Sequence, residues 1–253
     1  LGKPEDVSNI SRKLMDYGLS NVRIYIGADL KQPDEQIVSG NPADFLHRTF
    51  SALSLLYIEN PNAEPLPVTY GLPDDAFIRG KVPMTKSEIR SIVLSKLKLT
   101  KNAILFDIGA GTGSIAIEAA RQIPDGRVYA IERNPDGLDL IKENSLKLQA
   151  DNLTIVSGTA PECLDTLPAA THAFIGGSGG HLKEIMQLLY SRNPEIRIVI
   201  TAITLETISQ IMTLQKEMSL PEPEIVQLQV SSAKKAGPYH LMQGQNPVYI
   251  VSF

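Results

Sequence analysis

Ala103-Ile104-Leu105-Phe106-Asp107-Ile108-Gly109-Ala110-Gly111-Thr112-Gly113-Ser114 is the stretch that decides the fold. Its first half reads as a strand with apolar residues on both faces, and a helical pattern begins at Ser114. The three glycines between them let the backbone turn tightly and approach a ligand closely, while the helix start offers unpaired N–H groups. A dinucleotide-binding turn looks similar, but its Gly-x-Gly-x-x-Gly pattern needs a glycine or alanine where Ser114 stands. Asp107, near the strand end, separates the two readings further. A carboxylate there suits the ammonium of a bound amino acid and has no use beside a pyrophosphate.

Outward from this point the chain alternates regularly. A helix is expected over 85–97, then strand 103–108, helix 114–122, strand 127–131, helix 136–148 and strand 153–156. Strand 172–175, helix 181–190, strand 197–201 and helix 205–218 follow, and strands 224–230 and 247–252 form an antiparallel, hairpin-like end. Short strands rich in Ile and Val fit a sheet covered by helices on both sides. The expected class is α/β: a doubly wound, Rossmann-like sheet of the S-adenosylmethionine-dependent methyltransferase kind, mostly parallel with an antiparallel C-terminal strand.

Ahead of it, a helix over 7–19 and strands at 22–26, 36–38 and 53–58 make a partial α/β lobe (1–60) with too few strands for a complete domain. Pro61, Pro65, Pro67 and Pro73 favour an extended linker over 61–73, so the second domain is taken as 74–253. A start at Leu1 rather than Met is read as a piece of something longer.

The 253 residues are 43% hydrophobic and 21% charged, which is ordinary for a chain with a sizeable core. A net charge of −4 and the absence of Trp argue against a broad nucleic-acid surface. The single cysteine, Cys163, excludes an internal disulfide and a multi-cysteine metal cluster, and reads as a small buried hydrophobe rather than a nucleophile. No apolar run approaches the roughly 20 residues that span a bilayer, and no signal peptide is visible. The expected location is cytoplasmic, with no membrane partner and no metal.

Three further turns fall into register with the glycine loop. Strand 127–131 ends in Glu132-Arg133, both expected at the cofactor, where a carboxylate can accept from both ribose hydroxyls of an adenosine, the bland alternative being a solvated loop charge. Strand 153–156 leads to Gly158-Thr159-Ala160, beside an adenine in methyltransferase folds. Strand 172–175 leads to Gly176-Gly177-Ser178-Gly179-Gly180, which suits close approach of a large flat substrate or an anion site at the following helix. The Asn-Pro-Pro-Tyr of many nucleic-acid amino-methylating enzymes is absent there.

From Gly71 onward the chain resembles the decarboxylating cobalt-precorrin-6B C15-methyltransferases of cobalamin biosynthesis. The resemblance is carried by residues 71–80, 81–86, the glycine loop, 129–135, 174–180, 204–207 and 246–248. Residues 25–30, 33–37 and 53–60 resemble the C-terminal part of the precorrin C5-methyltransferase, so the likeness implies a fused C5,C15 enzyme whose first half is cut. It implies S-adenosyl-L-methionine as cofactor, held by Thr85, Gly109, Ala110, Gly111, Thr112, Gly113, Glu132 and Ala160. Thr159 departs from the family's usual aspartate at that turn and supplies a hydroxyl instead of a charge.

The implied reaction is methylation of C15 of a precorrin with loss of the C12 acetate carboxyl. Candidates to meet the substrate's carboxylates are Arg79, Lys81, Lys86, Lys234 and Lys235, with Gly177, Ser178 and Gly179 near the macrocycle. His181, Tyr239 and His240 are candidates to carry a proton. Relatives of the domain form tetramers, which makes a homo-oligomer the expectation. An RNA or protein methyltransferase and a nicotinamide-binding oxidoreductase are the competing readings.

Overall fold

Hydrophobic spacing places α1 (Asp6–Asp16) against a small antiparallel sheet of β1 (Arg23–Ala28), β2 (Gln36–Gly40) and β3 (Ser54–Glu59), in the order β2-β1-β3. Alternate residues Ile24, Ile26 and Ala28 of β1 turn inward and bury Val7, Phe45 and Phe50 with them. The computed structural model describes residues 1–61 and 70–253. The chain divides into two compact units, Leu1–Pro67 and Val68–Phe253. Most of the expected linker lies outside the described residues.

The second unit contains α2 (Ser87–Leu97), β4 (Ile104–Ile108), α3 (Ser114–Gln122), β5 (Arg127–Glu132), α4 (Pro135–Lys147), β6 (Leu153–Ser157), β7 (His172–Ile175), α5 (Leu182–Arg192), β8 (Arg197–Ala202) and α6 (Leu205–Glu217). It closes with β9 (Glu224–Leu228), β10 (Ser231–Ala236), β11 (Tyr239–Gly244) and β12 (Val248–Ser252). Local signals set several boundaries. Asn134 caps α4 by accepting from the Asp136 amide, with Pro135 at the first helical position, and Thr204 caps α6 by accepting from Thr207.

Seven strands form one sheet in the order β6-β5-β4-β7-β8-β12-β9. β4 to β8 pair in parallel, and β12 is antiparallel to both β8 and β9. The period of two along each strand separates two cores. Leu105, Val128, Phe174 and Val199 pack with Val93, Ile117 and Ile141, while Phe106, Ile131, Ile175 and Ile198 pack with Ile185, Leu189 and Ile211. Helices therefore cover both faces, as the alternating pattern predicts. The strand order reverses direction at β4, so the carboxyl ends of β4 and β7 flank the crevice where open α/β sheets bind ligands.

The C-terminal end departs from the expected hairpin-like pair. β9 and β12 do pair, but they are not a simple hairpin: a two-stranded ribbon, β10–β11, leaves the sheet between them. All six residues of each ribbon strand are exposed, so hydrophobic periodicity had no core to report there. Among the described residues no helix is long and apolar enough to cross a membrane.

Candidate functional site

Alternation along β4 sets the position of Asp107. Leu105 and Asp107 share the face toward α3, and the carboxylate is buried below the helix start. Its Oδ2 accepts from the Ala116 amide at 2.9 Å, satisfying one of the unpaired donors of the first turn. Its Oδ1 is buried without a hydrogen-bond partner. Burial raises the Asp107 carboxyl to about 7; the Ala116 amide opposes that rise, and the Glu132 charge adds to it.

Above it the chain turns at Gly109, whose φ is +75°. A Cβ there would stand 2.7 Å from the Gly177 carbonyl oxygen, so this glycine lets the loops after β4 and β7 touch. Gly176 and Gly177 both donate to the Ile108 carbonyl, at 3.0 and 3.2 Å. At the tip of β5, Glu132 accepts from the amides of Gly111 at 2.8 Å, Arg133 at 2.9 Å and Asn134 at 2.8 Å. Three of a carboxylate's roughly four acceptor sites are thus engaged. Glu132 is a tie between the two loops, with one site left over rather than a pair.

A polar network that no short motif announced holds the segment before α2 across this floor. Arg90 is fully buried and donates through Nε to Glu118 at 2.7 Å, through Nη1 to Asp74 at 3.0 Å and to the Thr85 carbonyl, and through Nη2 to the Leu72 carbonyl. Glu118 also accepts from the amides of Gly71 at 2.6 Å and Leu72 at 3.0 Å. Asn144, also buried, exchanges hydrogen bonds with the Ile78 backbone and donates to the Thr112 carbonyl. Gly71 and Leu72, placed in the linker by proline content, are therefore bonded to α3. The available signal was the pairing of an arginine in α2 with a glutamate in α3, both on otherwise apolar faces.

These pieces enclose a cavity of about 720 Å³. Thr85, Asp107, Gly109, Ala110, Gly111, Glu132, Arg133, Gly158, Thr159, Ala160, Gly177, Ser178 and Gly179 all line it, so the structure brings together most of what the sequence nominated. Val82, Pro83, Met84, Lys86, Ile89, Thr201, Ile203, Gln245 and Val248 line it too.

Other nominated residues do not line the cavity. Thr112 turns its side chain into the interior, with Oγ1 unpartnered, and Gly113 is the start of α3, where an added Cβ would press on Ile141 at 3.0 Å. Arg79 and Lys81 are exposed on the segment before α2 (residues 71–86, the strap), and Lys234, Lys235, Tyr239 and His240 sit on the exposed ribbon. His181 is exposed at the start of α5. The six on the strap and ribbon are surface groups because those segments turn them outward, which residue type alone does not reveal. Cys163 is half-buried under the turn at Gly158, and burial pushes its thiol above the ordinary range, as a packed rather than reactive cysteine requires.

The residues fit an S-adenosyl group. A buried carboxylate with an unpartnered oxygen suits a cation, the close-packed glycines admit a ligand against backbone, and Glu132 keeps an acceptor site for a hydroxyl. A model of the precorrin methyltransferase domain matches residues 75–253. The chain belongs to this family.

Among similar precorrin methyltransferases, the cobalt-precorrin-6B C(15)-methyltransferase (decarboxylating) of Salmonella typhimurium is 39% identical over 181 residues, 71% of this chain and 93% of that protein. The crystal structure of precorrin-6y C5,15-methyltransferase from Geobacter metallireducens superposes with a TM-score of 0.69 at 40% identity, over 74% of this chain and 98% of that one. The C-terminal domain of precorrin-6Y C5,15-methyltransferase from Rhodobacter capsulatus gives 0.66 at 28% identity, over 74% and 98%.

Proposed function

We propose that the second unit transfers a methyl group to C15 of a precorrin, with or without cobalt, and removes the C12 acetate carboxyl as carbon dioxide. The observation that carries this reading is Asp107, a buried carboxylate with one unpartnered oxygen, on the lining of a cavity in a precorrin methyltransferase domain. S-adenosylmethionine, when bound, supplies the electrophilic methyl. Asp107 holds the cationic end, the Gly109–Gly111 backbone and Thr85 close around the cofactor, and Glu132 offers its remaining acceptor site to the ribose. Gly158, Thr159 and Ala160 border the adenine.

The rest of the cavity positions the macrocycle, since methyl transfer between bound partners depends mainly on alignment. Methylating a C–H carbon releases one proton, and converting a –CH2COO⁻ arm to –CH3 plus carbon dioxide consumes one. The two steps together are proton-neutral, so the absence of His181, Tyr239 and His240 from the cavity lining is compatible with the reaction. The apolar side chains of Val82 and Ile89 in the lining lower the polarity the acetate would meet, which favours loss of its charge.

Incubation of the chain with precorrin-6B and S-adenosylmethionine tests the reading by mass spectrometry. Gain of a methyl with loss of carbon dioxide is expected; an unchanged substrate in the presence of bound cofactor overturns it.

Residues 1–60 read as the C-terminal part of a C5-methyltransferase lobe, supported by the segments 25–30 and 53–60. A homo-oligomer is supported by the ribbon, where Tyr239, Leu241 and Met242 are 72%, 61% and 68% exposed. Light scattering of the chain and of Leu241→Asp reads this directly, with dissociation expected in the variant.

A further inference from the structure

We infer that Lys86 and Arg133 are the two cationic anchors that receive carboxylate arms of the macrocycle and so set specificity for it; this rests on the precorrin reading above. A precorrin presents several acetate and propionate groups, all ionised near neutral pH. The charged residues lining the cavity are Lys86, Asp107, Glu132 and Arg133. The two acids are committed: Asp107 lies at the buried floor, and Glu132 is bonded to three backbone amides. The anionic substrate is left with the two cations.

Each cation is held ready. Asp74 is already bonded to the buried Arg90 at 3.0 Å and to the Ser87 amide at 3.1 Å, and it steadies Lys86 at 3.3 Å. The Lys86 side chain remains 36% exposed, with donors to spare beyond that one contact. Arg133 is exposed at the β5 tip, and among the described residues no carboxylate pairs with its guanidinium. Its Nη1 lies 3.7 Å from where a Cβ on Gly179 would stand, so the guanidinium reaches from β5 to the loop after β7. A planar fork in that position suits a carboxylate by two parallel hydrogen bonds. Val82, Met84, Ile203 and Val248 supply apolar wall for the ring itself. The other nominated cations, Arg79, Lys81, Lys234 and Lys235, are exposed away from the lining.

The assignment moves Arg133 from the cofactor to the substrate, and that makes it testable in the full chain. Lys86→Ala, Arg133→Ala and the double variant are compared with Lys86→Arg and Arg133→Lys. Three measurements are taken: KM for precorrin-6B, binding of precorrin-6B without methyl donor by its absorbance change, and binding of S-adenosylhomocysteine by calorimetry. Each alanine variant is expected to weaken substrate binding and raise KM by about three- to tenfold, as partly exposed charge pairs do. The double variant should also lose much of the salt dependence of substrate binding. Affinity for S-adenosylhomocysteine should stay within about twofold, and Lys86→Arg should recover most of the loss by keeping the charge.

Unmoved KM and substrate affinity with normal turnover overturn the anchors alone. Weakened S-adenosylhomocysteine binding with substrate affinity intact returns these residues to the cofactor site. No turnover of precorrin-6B by the unmodified chain overturns the parent reading instead.

Discussion

The Asp107 carboxylate accepts from the Ala116 amide through one oxygen at 2.9 Å and holds its other oxygen buried and unpartnered. One side chain thus caps a helix and leaves an electrostatic demand at the cavity floor.

Asp107→Asn keeps an oxygen for Ala116 but removes the charge, and it should weaken S-adenosylhomocysteine binding by about ten- to a hundredfold in calorimetry. The unliganded variant should be more stable than the parent at alkaline pH. The folded carboxyl titrates near 7, above its ordinary 3.8, so the native state binds the extra proton between those values. Stability from this group is therefore full below 3.8 and is lost as pH rises to about 7. Removing the ionisable group should recover on the order of 4 kcal/mol above that range, read by denaturant unfolding.

Ligand binding should carry the opposite pH dependence. A cationic ligand selects the ionised carboxylate, so affinity should rise as pH climbs from about 6 toward 7 and then level off, with proton release on binding below 7. Calorimetry in buffers of differing ionisation enthalpy counts the protons. A flat profile in the parent, equal to that of Asp107→Asn, would remove Asp107 from the site.

The strap network should respond sharply to loss of one partner. Glu118→Gln removes the fully buried one of Arg90's two carboxylate partners, leaving only the partly exposed Asp74, and should cost up to about 3 kcal/mol of unfolding free energy. Circular dichroism against urea measures it. Because Arg90 also binds the Thr85 carbonyl, cofactor affinity should fall in the same variant at temperatures where it remains folded.

Gly109→Ala places a methyl 2.7 Å from the Gly177 carbonyl at a φ of +75°. Strain of about 1–3 kcal/mol is expected, together with separation of the loops after β4 and β7. A lowered Tm and a weakened S-adenosylhomocysteine complex are the readouts. Gly177→Ala, where an added Cβ meets nothing within 4 Å, is the matched control for stability.

The sequence by itself determined the parallel sheet, its helical cover and the loop after β4. These rest on interactions between near neighbours in the chain: a period of two in the strands, 3.6 in the helices, and glycines where the turn demands them. Asp107 and Glu132 could be nominated the same way, because each stands at a strand end next to a recognisable turn. Only the tertiary structure decided what those carboxylates touch, and it turned Glu132 from a free acceptor into a largely occupied tie. The Arg90–Glu118 pair joins residues 28 positions apart, and the exposed ribbon buries nothing, so neither leaves a periodic trace. Which lysines and arginines reach the cavity was likewise decided in three dimensions. A surface charge has no packing partner to write its direction into the sequence, and the strap and the β5 tip alone carry Lys86 and Arg133 to the mouth.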